Sequence, residues 1–419
     1  MGYSFVHPAF DFALCCLARV YNQAPGFFER KVSEAELRPL ASEAKEKGYF
    51  VDEDHEFELL EVECDLWAGV EPIFRENVES AAIFLGLNSL ERDFLTFALV
   101  YKTFPAFSYV IDSLCDELSL SQLVRLFALM FPGASTDRIE RVLLNESVLS
   151  EAGLLYIENP FMIEFSYTLA NNFFRKDFDF EAALRENIRK SPPGRLIPED
   201  FSYLKEYELL KAYLQAAVTE RRPGSHLLLY GPPGSGKTEL VRLLSREIKV
   251  PLYEPDYKDD KYEERDRFSS YRIANYLLRG QKALLLYDDA DTFLNEVVDK
   301  AWFNRVLESA PVPTVWICND TEGIDPALIR RFDLIIRMDY LPEEARRRML
   351  NYYLGDLLEE EKSAEKFLEK ASRKIIPPSV AAKARKVLEM IQDHYEERPS
   401  KAANMLLNHV LELLKLEKI

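Results

Sequence analysis

Residues 231–238 read Gly-Pro-Pro-Gly-Ser-Gly-Lys-Thr, between the apolar run His226-Leu227-Leu228-Leu229-Tyr230 and a helical pattern from Glu239 to Lys249. Strand, glycine-rich loop and helix in that order are the context in which a backbone loop cradles phosphates. The pattern predicts an α/β module, a parallel sheet flanked by helices. Gly231, Gly234 and Gly236 let the loop turn its N–H groups inward, where a Cβ would block an anion. Pro232, Pro233 and Ser235 complete the loop, and the helix beginning near Lys237 adds the positive end of its dipole. Lys237 is expected on the β- and γ-phosphates and Thr238 on Mg²⁺, with Glu239 after them as the last of the nucleotide-binding residues.

A second apolar run, Ala283 to Tyr287, ends in Asp288-Asp289-Ala290-Asp291. Acidic residues at the carboxyl end of a buried parallel strand lie where open α/β sheets bind ligands. Asp288 is expected to hold Mg²⁺ through its water shell, and Asp289 to orient or deprotonate an attacking water. Asn319 ends a third run, Val312 to Cys318, and should lie beside Asp288; its own chemistry also allows a simple turn residue. Arg330 and Arg331 close a short helix before the strand Leu334 to Met338, where a basic pair also suits a helix C-terminus.

These motifs, with Thr314 to Asn319 and Ile324 to Asp333 in order, resemble those of AAA+ ATPases, and more closely the classical AAA subgroup. The stretch Lys300 to Glu308, with Pro313 to Trp316 after it, resembles a bacterial branch of that subgroup with a helical N-terminal region. The resemblance covers about residues 196–340 and continues through a helical lid to the end. It implies ATP and Mg²⁺ as ligands, Asn319 as the polar residue that helps place the attacking water, and Arg330 and Arg331 as arginine fingers acting on ATP of a neighbouring subunit. Fingers acting in trans imply a homo-oligomer, a ring and in this family a hexamer, and the full motif set in order implies remodelling of a protein partner chosen by residues 1–190. The segment before the first strand, Phe201 to Leu204, is where the family places adenine.

The chain departs from the pattern in three places. Asp289 stands where the family has Glu, one methylene longer, and about 1 Å of misplacement costs a catalytic group on the order of a hundredfold. The region after the second strand holds Tyr257 and Tyr262 but lacks the glycine of a threading loop. No lid arginine stands out, with Lys383 and Arg385 as the available cations. A slow nucleotide-dependent binding switch is therefore the alternative to a remodelling motor.

Composition narrows the partners. A formal net charge of −18 disfavours nucleic acid, whose binders present a basic face. The clusters Arg221-Arg222 and Arg346-Arg347-Arg348 read as solvated helix faces, which leaves a nucleic-acid loader or motor as the weakest alternative. No apolar run reaches membrane-span length. Five scattered cysteines without a Cys-x-x-Cys pair read as reduced core residues in a cytoplasm.

Three parts are expected: a mostly helical, partner-binding domain over 1–190, the nucleotide-binding domain over 191–340 and the lid over 341–419. Ser191-Pro192-Pro193-Gly194 is the linker signal. Glu53 to Cys64 suits a strand or an acidic helix. A helix over Asp137 to Leu144, then Leu149 to Glu158 and Phe161 to Tyr167 as a hairpin around Asn159-Pro160, permits a winged-helix-like unit as well as a plain bundle. Pro377-Pro378 should open one lid helix, and Lys401 to Leu416 should form the last.

Overall fold

A computed structural model describes residues 7–33, 35–40, 66–158, 161–194, 196–256, 264–296, 300–358, 364–391, 394 and 399–413. The segment Glu53–Cys64 and the tyrosines Tyr257 and Tyr262 lie outside them, as do Asn159 and Pro160.

In chain order the helices are α1 (Phe10–Gln23), α2 (Pro25–Lys31), α3 (Pro72–Leu85), α4 (Ser89–Thr103), α5 (Pro105–Cys115), α6 (Leu120–Met130), α7 (Thr136–Leu143) and α8 (Val148–Glu151). The hairpin β1 (Tyr156–Glu158) and β2 (Met162–Glu164), helices α9 (Tyr167–Asn172) and α10 (Phe180–Arg185), and strand β3 (Ile188–Lys190) follow. After a 3₁₀ turn at Pro198–Phe201 come α11 (Tyr207–Glu220), β4 (His226–Tyr230), α12 (Lys237–Glu247), β5 (Leu252–Pro255), α13 (Glu264–Leu278) and β6 (Leu284–Tyr287). The remainder is α14 (Asp291–Glu296), α15 (Lys300–Ser309), β7 (Thr314–Cys318), α16 (Pro326–Ile329), β8 (Leu334–Arg337), then α17 (Glu343–Leu358), α18 (Ala364–Ser372), α19 (Pro378–Ile391) and α20 (Pro399–Leu413).

The chain forms two compact units. One comprises residues 1–187 with 257–277, the other 188–256 with 278–419. The first is helical around an aromatic core. Phe94 and Phe97 of α4 meet Phe127 of α6 at ring-centroid distances of 5.2 Å each, and Phe107 of α5 closes on Phe97 edge-to-face at 5.4 Å. Asn88 and Glu91 form a reciprocal capping box that starts α4, which satisfies two backbone donors that a helix start otherwise leaves open. The hairpin is present as an antiparallel pair, but it is shorter than the expected strands. Ser147 caps the short helix α8 through the Ser150 N–H, and Gly153 turns at φ +72°, so residues 148–151 are helical. Among the described residues, no single helix is long and apolar enough to cross a membrane.

The second unit is built on a six-stranded sheet in the order β3-β5-β6-β7-β4-β8. All pairings are parallel except β3 with β5. Leu227, Leu228 and Leu229 of central β4 are fully buried, and each side chain is worth roughly 1.5–3 kcal/mol by transfer from water. The edge strand β3 is not signalled by the sequence. It is three residues long, two of them charged, and it pairs antiparallel with β5. The expected linker is likewise fixed: Arg246 of α12 donates to the Gly194 and Leu196 carbonyls at 2.8 and 2.7 Å.

The lid helices pack around Leu350, Leu354, Leu358 and Ala403. In the basic cluster, Arg347 and Arg348 are exposed, as a solvated face requires, while Arg346 is half-buried, and Arg346 and Arg348 are tied to backbone acceptors. Arg346 donates to the carbonyls of Ser372 and Leu341. Arg348 reaches Asp200 at 3.3 Å and the Glu199 carbonyl at 2.8 Å. Long guanidinium stems let these residues span from α17 to backbone acceptors that no sequence pattern displays.

Candidate nucleotide site

The site lies at the carboxyl ends of β4, β6 and β7. Their adjacency follows from the register: Tyr230 of β4 faces Cys318 of β7, and Tyr287 of β6 faces Trp316. Three loop ends therefore meet along one edge: Gly231–Gly236, Asp288–Asp291 and Asn319.

The cradle begins at Gly231, whose φ is +146°. A Cβ there would run into the Met338 carbonyl, so β8 approaches too closely for any side chain. Gly234, at φ +80°, faces the ring of Pro377 at the head of the lid. The lid thus touches the loop directly through a position only glycine can occupy. Behind the loop, the Phe201 ring packs against Gly236. Phe201 is completely buried and Leu204 nearly so, which places the expected adenine segment in the core behind the cradle.

Lys237 is 6% exposed. Its Nζ donates to the Gly231 carbonyl at 2.6 Å and the Pro232 carbonyl at 3.1 Å. Burial lowers its pKa, while Asp288, Asp291 and Asp289 oppose the shift. The ammonium is thus held inside the loop on two weak neutral acceptors, from which a polyanion would draw it. Ser235 adds a buried hydroxyl with no hydrogen-bond partner. An inward loop with an orphaned donor and a buried cation fits a triphosphate.

Thr238 Oγ1 donates to Asp288 Oδ2 at 2.8 Å, so the two residues expected at Mg²⁺ are in contact. Burial pushes the Asp288 carboxyl up; the Thr238 bond opposes this and the neighbouring Asp289 adds to it. A hydroxyl beside a desolvated carboxylate is an oxygen-only donor pair, which suits a hard divalent cation that retains several waters. Asp289 follows at φ +52°, a left-handed conformation that Asp tolerates better than most residues, and its N–H donates to Asp288 Oδ1 at 3.0 Å.

Asn319 is not merely a turn residue. Its backbone N–H donates to Asp291 Oδ1 at 2.6 Å and its side-chain Nδ2 to Asp291 Oδ2 at 3.2 Å. Asp291 stood in the sequence as one of three aspartates without a role of its own. Its tie to Asn319 crosses from β6 to β7 and becomes visible only once those strands are neighbours.

The two arginines part company. Arg330 caps α16 and is exposed. Arg331 is half-buried and paired with Glu308 of α15 in the same chain. Its turn is anchored from below: the His226 N–H donates to Asp333 Oδ2 at 3.1 Å, and Phe332 packs edge-on to Trp316 at 6.2 Å. In the lid, Arg385 is bound to both oxygens of Asp356, at 2.7 and 2.8 Å, and to Glu389. It is committed to lid structure, while Lys383 is exposed.

The sequence also gave no sign of the network behind α12. Glu254 on β5, 6% exposed, accepts from Ser191 Oγ at 2.5 Å, from Arg189 at 2.7 Å and from Arg242 at 3.1 Å. Arg242 also reaches Glu239 at 3.0 Å. Glu239 is thus a support for the helix that bears Lys237 and Thr238.

A family model described as "ATPase family associated with various cellular activities (AAA)" matches residues 227–340, the span that holds the phosphate loop, Asp288, Asp289, Asp291, Asn319, Arg330 and Arg331. Residues 227–340 are a AAA ATPase domain. The chain is similar to replication factor C subunit 3 of Saccharomyces cerevisiae, 31% identical over 153 residues, covering 34% of this chain and 44% of that protein. It is also similar to the Holliday junction branch migration complex subunit RuvB of Anaplasma marginale, 44% identical over 55 residues, covering 13% of this chain and 17% of that protein. The chain therefore spans less than half the length of these curated relatives. Among solved structures, C. elegans PCH-2 aligns at 15% identity with a TM-score of 0.39, covering 54% of this chain and 75% of that one.

Proposed function

We propose that this chain is a Mg²⁺-dependent ATP hydrolase that works as a homo-oligomeric ring and uses the nucleotide cycle to remodel a protein partner engaged by its N-terminal unit. The observation that carries the hydrolase reading is the joining of Lys237, Thr238, Asp288 and Asn319 at one sheet edge, with Thr238 on Asp288 at 2.8 Å. The divalent ion, when bound, neutralises charge on the phosphate oxygens. Lys237 and the loop amides hold the β- and γ-phosphates, Asp289 and Asn319 orient the water, and Pro377 on Gly234 links loop to lid. The exposed Arg330, set apart from the cradle of its own chain, is suited to the ATP of a neighbour.

The test is ATP turnover and ATP affinity of the full chain against Lys237→Ala. The wild type is expected to hydrolyse ATP, with turnover abolished and affinity cut by at least about a hundredfold in the variant, the order expected when a buried charge-assisted contact is removed. A wild type that binds no ATP ends the proposal.

Two other readings have a specific observation behind them. The short, left-handed Asp289 favours a slow switch, which would show partner binding that needs ATP but not its hydrolysis. The names of the relatives, a Holliday junction branch migration subunit and a replication factor subunit, favour work on DNA. The net charge of −18 weighs against it, and salt-sensitive stimulation of the ATPase by DNA would establish it.

A further inference from the structure

We infer that Asp291 is a positioning residue for the hydrolysis step: it fixes the amide of Asn319 in one orientation so that the carbonyl oxygen is the group presented to the attacking water. This rests on the ATPase reading above. The argument begins with the donor count. Asp291 takes the Asn319 backbone N–H on Oδ1 at 2.6 Å and the Asn319 side-chain Nδ2 on Oδ2 at 3.2 Å, and the Asp320 N–H also approaches Oδ1 at 3.4 Å. Both carboxylate oxygens are occupied by N–H donors. With its oxygens taken by Asn319 and Asp320, Asp291 differs in role from Asp289.

The same contact decides which way the Asn319 amide faces. An asparagine amide has one acceptor edge and one donor edge. With Nδ2 against Asp291, a flipped amide would set two oxygens against each other, and like partial charges at hydrogen-bond distance are strongly disfavoured. One of the two amide N–H donors is thereby committed to Asp291, and Oδ1 remains as an acceptor on the opposite edge. An acceptor is what a nucleophilic water needs to lodge one proton while it turns a lone pair to phosphorus. The backbone supports this arrangement independently, because the Ala290 N–H donates to the Ile317 carbonyl at 2.8 Å. The turn bearing Asp291 is thus laced to the strand bearing Asn319 at two levels.

The experiment compares the full-length wild type, Asp291→Ala, Asp291→Asn, Asn319→Ala and the Asp291→Ala/Asn319→Ala double variant. Saturated ATP turnover, ATP affinity and thermal midpoint are measured for each. Asp291→Ala is expected to lower kcat by about a hundredfold, as a 1 Å loss of registration does, with ATP affinity changed by less than about twofold, as an effect confined to the transition state requires. The double variant should lose no more than the worse single variant. Asp291→Asn, which keeps one acceptor oxygen, should fall between wild type and Asp291→Ala. A kcat unchanged in Asp291→Ala, multiplicative losses in the double variant, or affinity and thermal midpoint falling together with kcat would overturn the proposal.

A second readout needs no turnover. In ¹⁵N-asparagine-labelled protein without nucleotide, the Asn319 backbone amide proton should resonate downfield in the wild type and move upfield in Asp291→Asn. An unmoved resonance overturns the assignment even if the ATPase reading stands. A wild type without ATPase activity would instead remove the ATPase reading, and the amide resonance would still decide whether Asp291 holds Asn319.

Discussion

The cradle and the arginine turn stand at neighbouring loop ends of one sheet, yet they are finished to different degrees. In the cradle three side chains find partners within the chain, Lys237 on loop carbonyls, Thr238 on Asp288 and Asn319 on Asp291, while the buried Ser235 hydroxyl is left over. On the arginine turn, Arg330 is exposed and Arg331 is paired with Glu308, away from the cradle. The contrast supports the proposed reading in which the exposed arginine serves the nucleotide of another copy. The difference also shows where the fold invests buried polar groups. Desolvated charges are costly; the chain accepts that cost at Lys237 and Asp288 and in part at Arg331, whose Nε is buried, but not at the exposed Arg330.

The largest expected effect breaks the comparison outright. Arg330→Ala should lower saturated turnover by about 10³-fold, the range of a trans-acting arginine, while ATP affinity stays within about twofold, because nothing in the subunit's own cradle has been touched. Turnover per subunit in the wild type should rise with protein concentration. Arg331→Ala should cost less than Arg330→Ala, since Arg331 is already paired. Equal kcat in Arg330→Ala and wild type would show that the arginine turn is structural.

A smaller effect concerns the shorter carboxylate within the cradle. Asp289→Asn should reduce turnover by about a hundredfold and leave ATP bound, whereas Asp289→Glu should keep or raise turnover. Single-turnover measurement separates the two; identical rates in all three forms would remove Asp289 from the chemistry.

The smallest effect sharpens the contrast through pH. His226, 1% exposed, accepts from Trp316 Nε1 on Nδ1 at 3.2 Å and lies 2.8 Å from the Leu307 carbonyl through Nε2. With Nδ1 an acceptor, Nε2 carries the proton and the ring is neutral. Burial lowers its pKa, against the Leu307 bond and Asp333. A folded-state pKa below the unfolded one means that folding favours the neutral ring. That contribution is fully present above the ordinary histidine range and is lost as pH falls below it. The thermal midpoint should therefore drop by a few degrees between pH 7.5 and pH 5.5, less so in His226→Gln. Because His226 and Asp333 underpin the arginine turn, turnover should decline over that range before ATP affinity does.

Much of this was legible beforehand because it rests on local pattern. The runs at 226–230, 283–287 and 312–318 are too apolar for anything but buried parallel strands, and a glycine-rich loop between strand and helix has few other uses. The short edge strand β3, the tie of Arg348 to Asp200 and the Glu254 network were illegible for one shared reason. Each joins residues far apart in the chain, through polar side chains whose composition would suit a solvated surface equally well. The helical stretch at 148–151 was missed because Ser147 and Gly153 outweigh the strand preference of the residues between them.

By itself the sequence determined the phosphate loop, the carboxylate strand end and their order, because backbone conformation and burial at those places follow from neighbouring residues. Only the tertiary structure decided that Asp291 serves Asn319, that Pro377 of the lid requires Gly234 to be bare, and that Arg331 is engaged while Arg330 is exposed. Those outcomes depend on which strands and helices become neighbours, and that is set by the packing of the whole sheet and lid rather than by any short stretch of chain.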